Sequence, residues 1–292
     1  DGAYSYQRNA GTDGGVSDQF TYTLTDGDAD TSTATLTISI GDGTPEIDGV
    51  PPATGEGSKQ VSEAGLPARS GESAGSDAAA NSETTTGSFS YSQGDAPAVL
   101  TINDVVVTGV AGQVIATAKG DLTITSVVGG TVNYSYTLKD NTSGDTTKDE
   151  FALKVVDKDG DTDTGTLTIN IVDDVPVASN DTNSLAVGVY GPATGNVVSN
   201  DTQGADGAVV TAVKFGQTTV VVPGTGQATI NGQYGVLTIS ADGAYSYQRN
   251  AGTDGGASDQ FTYTLTDGDT DTDTATLTIT IGDDKPEIDG VP

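Results

Sequence analysis

The sequence predicts an all-β chain of tandem antiparallel β-sandwiches. Three observations carry that expectation: a long internal repeat, period-two alternation of apolar and polar residues in its tails, and glycine turns with no sustained 3.6-residue periodicity.

The repeat comes first. Residues 1–51 recur at 242–292 with six differences, a period of 241 residues. A weaker third copy lies between them, where Asp149-Glu-Phe151 corresponds to Asp18-Gln-Phe20 and Asp259-Gln-Phe261. Each copy runs on to an Asp-x-Asp-x-Asp cluster, a Thr-Leu-Thr-Ile strand and one or two aspartates before Pro45, Pro176 or Pro286. Those prolines mark three module ends. Residues 1–51 are then the C-terminal part of a truncated repeat, and 52–175 and 176–292 are complete β-sandwich repeats, expected head to tail in a linear array. Near-identity at this period implies a parent that alternates two module types.

The strands follow from alternation. Phe261, Tyr263 and Leu265 point one way and Thr262, Thr264 and Thr266 the other, and Leu277, Ile279 and Ile281 repeat the pattern. Aromatic and β-branched residues fit a pleated, half-buried surface. Upstream, 235–239 and 245–247 flank Asp242-Gly243, the signature of a hairpin, and the middle module repeats it with Gly129-Gly130. Short strands with frequent turns indicate a sandwich of immunoglobulin type. The Ser-, Ala- and Gly-rich stretch 68–87 reads as a mobile surface loop.

Composition narrows the function. Eleven Lys and Arg stand against 41 Asp and Glu, a net charge of −30. Phosphate recognition needs cationic surface, so no nucleic-acid partner is expected, nor docking on anionic lipid. Without Cys or His, disulfides and thiolate or imidazole metal sites are impossible. Oxygen ligands abound, which favours a hard cation, and Ca²⁺ in particular. No apolar run is long enough to cross a bilayer and no cleavable secretory leader is legible, so no direct membrane insertion is expected.

Topology places the acidic residues. The strand from Phe261 ends at the loop holding Asp267, Asp269, Asp271 and Asp273, and the next strand returns to Asp283 and Asp284, at the opposite pole. Where modules abut, Asp173 and Asp174 should approach Asp267, Asp269 and Asp271. Likewise Asp42 and Asp48 should approach Asp157, Asp159 and Asp161, with Asp163 closing that loop. The first tail carries the same loop as Asp26, Asp28 and Asp30. Converging carboxylates repel unless a cation joins them, and calcium accepts six to eight oxygens. The alternative is plain solvated turns, since Asp, Gly and Thr are ordinary turn formers. An EF-hand is excluded, because Thr168 and Thr278 stand where its bidentate Glu belongs.

At these residues the chain resembles the repeat domains of large type I-secreted bacterial adhesins, the RTX and biofilm adhesins. The opening at 176–181 and 195–201 and the ending at 258–269 are similar to a VCBS or bacterial cadherin-like repeat. Val61-Ser-Glu63, Thr86-Gly87, 134–138 and 157–161 resemble the type I-secretion agglutinin repeat. The resemblance implies a cadherin-like, extracellular or cell-surface spacer that projects a distal binding domain. Its implied partners are calcium ions and neighbouring repeats, with any glycan or cell-surface ligand bound by other domains. It adds Asn180, Asp181, Asn200 and Asp201 to the implied metal ligands. Gly43 and Thr44 stand where Asp284 and Lys285 stand later, so the first junction has one carboxylate fewer.

Catalysis is not expected: the carboxylates lie in repeated turns, and a nucleophile–histidine pair cannot exist without histidine. The alternative is repeats that themselves bind glycan or a host surface, with Tyr190 and Tyr234 as the aromatic candidates. Residues 1–51, nearly identical to 242–292, are expected to compete for the partner strands of residues 177–241.

Overall fold

The computed structural model describes residues 1–9 and 12–283. Among them the only helical turns are two short 3₁₀ segments, Glu63–Gly65 and Val197–Asn200, and no helix is long and apolar enough to cross a membrane. The first tail supplies β1 (Ser17–Thr25) and β2 (Thr31–Ser39). The stretch that follows supplies β3 (Ile47–Asp48), β4 (Lys59–Ser62), β5 (Thr84–Tyr91), β6 (Val99–Ile102), β7 (Val105–Val106) and β8 (Gln113–Ala116). It continues with β9 (Gly120–Val128), β10 (Thr131–Leu138), β11 (Thr146–Val156) and β12 (Thr162–Val172). The last repeat supplies β13 (Asp181–Leu185), β14 (Ala193–Asn196), β15 (Ala208–Phe215), β16 (Thr218–Val221) and β17 (Gln227–Asn231). It ends with β18 (Gly235–Ser240), β19 (Ala244–Arg249), β20 (Ser258–Asp267) and β21 (Thr272–Ile281).

Strands β3-β5-β10-β9-β8 form one five-stranded sheet and β4-β12-β11-β6-β7 another. In the last repeat, β13-β21-β20-β15-β16 faces the core together with the four-stranded sheet β14-β19-β18-β17. The fold is therefore all-β and of the immunoglobulin-like, cadherin-like sandwich kind. In the last repeat a parallel pair interrupts the antiparallel pattern: β13 runs alongside β21, Asp181 opposite Leu277 and Leu185 opposite Ile281.

The period-two expectation holds residue by residue. Phe261, Tyr263 and Leu265 on β20 and Leu277, Ile279 and Ile281 on β21 are all buried, while the intervening threonines are not. Fully burying one such side chain stabilises the fold by roughly 1.5–3 kcal/mol. Asp242-Gly243 makes the turn between β18 and β19, with Gly243 at φ +82°, a region where a side chain would strain the backbone.

Compactness divides the chain differently from the repeats. One unit comprises Asp1–Gln60, Thr85–Thr137 and Lys148–Asn170; the other comprises Val61–Thr84, Leu138–Thr147 and Ile171–Pro292. The second unit thus takes in the segments 61–84 and 138–147, and hydrogen bonds explain why. Arg69 donates to Ala205 O at 3.1 Å, and the Asn141 amide donates to Asp206.

The Ser- and Gly-rich stretch does not behave as a free loop. Gly75 N donates to Leu66 O at 2.9 Å and Asp77 N to Ala64 O at 2.8 Å, while Arg69 and Glu72 form a bridge.

Within the first unit, β1 and β2 pair Phe20 with Leu36 and Tyr22 with Ala34, the register in which β20 and β21 pair Phe261 with Leu277 and Tyr263 with Ala275. The environments differ. Phe20 is 48% exposed and Leu24 70%, against 0% for Phe261 and Leu265.

Candidate metal centre

The acidic loops are built alike in all three copies. Asp26 N donates to Asp30 O (3.0 Å), Asp157 N to Asp161 O (3.0 Å) and Asp267 N to Asp271 O (3.1 Å). In return the first aspartate's Oδ1 accepts from the backbone of the fifth residue: Asp30 N at 2.9 Å, Asp161 N at 2.9 Å and Asp271 N at 2.8 Å. The first aspartate of each cluster therefore folds its own loop, as Asx turns do. In two of the loops the third and fifth are left to meet an aspartate from a module end.

The last aspartate of two loops has a different task. Asp163 Oδ2 accepts from Ile47 N at 2.7 Å, and Asp273 Oδ2 from Ala178 N at 2.8 Å. In each case the donor lies two residues beyond a module-end proline, so this carboxylate holds the chain that follows Pro45 or Pro176.

Two equivalent triads result. In the first unit Asp42 meets Asp159 and Asp161; in the second Asp173 meets Asp269 and Asp271. Within each, one carboxylate oxygen per residue lies within 4.8 Å of the others. Two oxygens bound to one calcium at about 2.4 Å can be no more than about 4.8 Å apart, so the donors match that ion in type and spacing. In the partly buried Asp173/Asp269/Asp271 triad each ionised pair at that separation repels by about 3–4 kcal/mol at an effective dielectric of 20. Three such pairs rival the whole net stability of a domain, about 5–15 kcal/mol.

Hydrogen bonding sharpens the contrast between the triads. Both oxygens of Asp173, Oδ2 of Asp267 and Oδ1 of Asp269 are buried without a hydrogen-bond partner. The other Asp269 oxygen accepts from Gly144 N at 2.7 Å. Buried polar atoms are nearly always paired, so four orphaned carboxylate oxygens in one place need an explanation. Desolvation, the neighbouring Asp271 carboxyl and the charges of Asp269 and Glu63 push the Asp173 carboxyl up to about 7. Burial, then Asp269, pushes Asp267 up to about 6. An open hollow of about 520 Å³, lined by residues including Asp173, Asp271 and Asp273, gives an ion access. In the first unit Asp42 and Asp159 are exposed, although burial and Asp42 still raise Asp161.

The remaining sequence candidates lie elsewhere. Asp174 turns from the triad and accepts from Ser76 N at 2.7 Å and from the Ser76 hydroxyl. Asp48 sits on β3 and accepts from Gly49 N at 2.7 Å. Asp157 accepts from Asp95 N at 3.2 Å. Asp26, Asp28 and Asp30 group together but are fully exposed. Asn180 Oδ1 accepts from Thr276 N, and the Asn200 amide donates to Asn180 O. Asp181 and Asp201 converge on the Tyr263 hydroxyl at 3.2 and 3.0 Å, and desolvation raises Asp181 to about 6. Asp283 is exposed, and Asp284 lies outside the described residues.

Two acidic residues at the Asp173 triad escaped the sequence reading. Glu63 and Asp206 form a further group with Asp173. Glu63 sits in the resemblance motif Val61-Ser-Glu63, which was the available signal; Asp206 stands alone in a turn and offered none. As for the aromatic candidates, Tyr190 stacks under the Arg249 guanidinium at 5.0 Å, and Tyr234 N donates to Asp259.

Fold and site together define a cadherin-like β-sandwich repeat with acidic module ends. Residues 173–283, the last sandwich with the linker that enters it, match the family of the bacterial cadherin-like domain. No curated protein matches the chain. Among solved structures, the chain is similar to the protocadherin gamma B4 extracellular domain, at 15% identity and TM-score 0.30, covering 91% of this chain and 38% of that one. It is similar also to protocadherin gamma C5 EC1-3 (11%, 0.31, 91% and 77%) and to zebrafish RET cadherin-like domains 1 to 4 (12%, 0.30, 90% and 57%). The chain thus spans well under two thirds of the first of these.

Proposed function

We propose that this chain is a calcium-rigidified spacer of a secreted bacterial surface adhesin, with a structural and not a catalytic role. The observation that carries this reading is the recurrence of one triad, Asp42/Asp159/Asp161 and Asp173/Asp269/Asp271, in which an aspartate from one repeat's end meets two from the next repeat's loop. A bound calcium would supply the positive charge that lets these carboxylates stay ionised together. The residues themselves do the positioning: Asp157 and Asp267 fold the loops, and Asp163 and Asp273 tether the linker. Because an unfolded chain lacks the site, binding free energy adds to folding free energy.

Type I secretion, a cell-surface location and a distal binding domain elsewhere in the parent follow from the likeness to RTX adhesin repeats. Calcium ions and neighbouring repeats are the partners this role requires. Small-angle scattering of the chain in calcium and in chelator tests the reading. The spacer predicts a smaller range of conformations with calcium, and indistinguishable profiles would refute it. Binding to a glycan array by the same protein would instead favour repeats that recognise a surface directly.

A further inference from the structure

We propose that the β1–β2 hairpin is a docking surface for a strand segment with the sequence of residues 177–241, supplied by another copy of the chain.

The surface is apolar and open to solvent. Tyr4 is 66% exposed and Tyr22 58%, and with Phe20 and Leu36 they line a hollow of about 390 Å³. The residues that line it carry no charge, although the chain as a whole stands at −30. Contiguous apolar surface of this kind marks an interaction site.

What fits such a face is visible in the last repeat, where the same sequence is complete. Tyr4, Phe20 and Tyr22 stand where Tyr245, Phe261 and Tyr263 stand, and those three rings are buried. Val213 of β15 pairs with Tyr263, Phe215 packs on Phe261 with ring centroids 5.2 Å apart, and β13 lies alongside β21. A Cβ at Gly195 would fall 2.6 Å from the Tyr245 hydroxyl, so that glycine leaves the room the ring takes. Every one of these partners comes from residues 177–241. The page of contacts a partner must make is thus written by the chain itself.

The hairpin already holds the geometry it would need. Tyr6 and Phe20 meet edge to face at 6.2 Å and 65°, and Tyr247 and Phe261 at 6.0 Å and 63°. Arg8 Nε donates to Thr12 Oγ1 at 2.8 Å, as Arg249 Nε does to Thr253 Oγ1 at 3.0 Å. The strand register is shared as well. A surface set in its bound form loses little conformational freedom on docking.

One difference between the two tails decides which of them keeps a given segment. Asp273 Oδ2 accepts from Ala178 N at 2.8 Å, and Ser32 stands in its place in the first tail. Residues 242–292 therefore hold the segment of their own chain more firmly than residues 1–51 could. Exchange between intact chains also covers one apolar face only by baring another. The open hairpin is left to take a segment that has no tail of its own in place.

A labelled peptide of residues 176–241, added to the full chain and followed by fluorescence anisotropy and sedimentation velocity, tests this. One peptide should bind per chain. Phe20→Ser with Tyr22→Ser should weaken binding by about a hundredfold or more, as loss of enclosed aromatic rings does. Circular dichroism checks that the rest of this double variant melts unchanged. Ser32→Asp should tighten binding by about tenfold, by giving Ala178 N a charged acceptor. Absence of a one-to-one complex overturns the proposal. So does binding that ignores the double variant, because the peptide then sits elsewhere or displaces residues 242–292. Self-association of the chain that the double variant abolishes and the peptide leaves intact would instead assign the face to the same hairpin of a second copy. A Ser32→Asp chain that binds no tighter removes the selectivity assigned to Asp273.

Discussion

The Tyr247 hydroxyl donates to Asp259 Oδ2 at 2.7 Å in the core of the last repeat, and the same carboxylate accepts from the backbone of Gln233 and Tyr234. The pairing recurs in every tail: Tyr136 with Asp149 at 2.9 Å, and Tyr6 with Asp18 at 2.6 Å. The aspartate of the repeated Asp-x-Phe motif is therefore a core fastener, which ties β20 to the turn ahead of β18 and to β19. A buried acid that accepts three hydrogen bonds holds its neighbours only while it remains an acceptor.

Asp259→Asn should therefore cost about 1–3 kcal/mol of unfolding free energy, because the amide turns a donor toward backbone N–H groups. Asp18→Asn, on an exposed hairpin, should stay within about 0.5 kcal/mol. Urea unfolding of the two variants measures the difference; equal losses would contradict the role assigned to Asp259.

Phe261→Ala should destabilise the chain by about 3–5 kcal/mol, since it empties a fully enclosed site between two sheets. Phe20→Ala removes the same ring from a face that is already half in water and should cost under about 1 kcal/mol. Thermal unfolding of both variants, followed by circular dichroism, makes the comparison.

Removing calcium should lower the melting temperature. One ion at a hundred times its dissociation constant stabilises by about 2.7 kcal/mol, which corresponds to a shift of roughly 10 °C for a module of this size. Asp173→Asn should abolish most of that shift, and Asp42→Asn less of it, because the Asp42 group is the more exposed. A melting temperature indifferent to chelator would remove the case for the ion.

The pH dependence should reverse sign with calcium. Without metal, Asp173 is raised to about 7 and Asp267 to about 6, so the folded chain keeps protons that the unfolded chain releases above about 4. Stability from these groups is complete below about pH 4 and is lost as pH rises through 6 to 7. With calcium the ionised carboxylates are the bound form, and stability should rise over that interval. Denaturant midpoints measured from about pH 4.5 to 7.5 in both buffers distinguish the cases, and parallel curves would count against the site.

Much of this was legible in the sequence. Alternation alone set the inward faces of β20 and β21, because side chains on a strand must point to opposite sides. The repeat itself located the loops and the module-end aspartates. Local chemistry also fixed how each loop closes, since a five-residue Asp turn needs only its own backbone and the carboxylate of its first aspartate.

What the sequence could not decide depends on distance in space. Asp173 and Asp174 are neighbours of identical type, yet one enters the acidic group and the other bonds Ser76, a choice made by where residues 61–84 pack. Glu63 and Asp206 lie more than a hundred residues apart, and only tertiary packing brings them to Asp173. The same holds for Phe20 and Phe261: identical hairpins carry both rings, and burial is decided by whether the partner sheets are present, which no local pattern encodes.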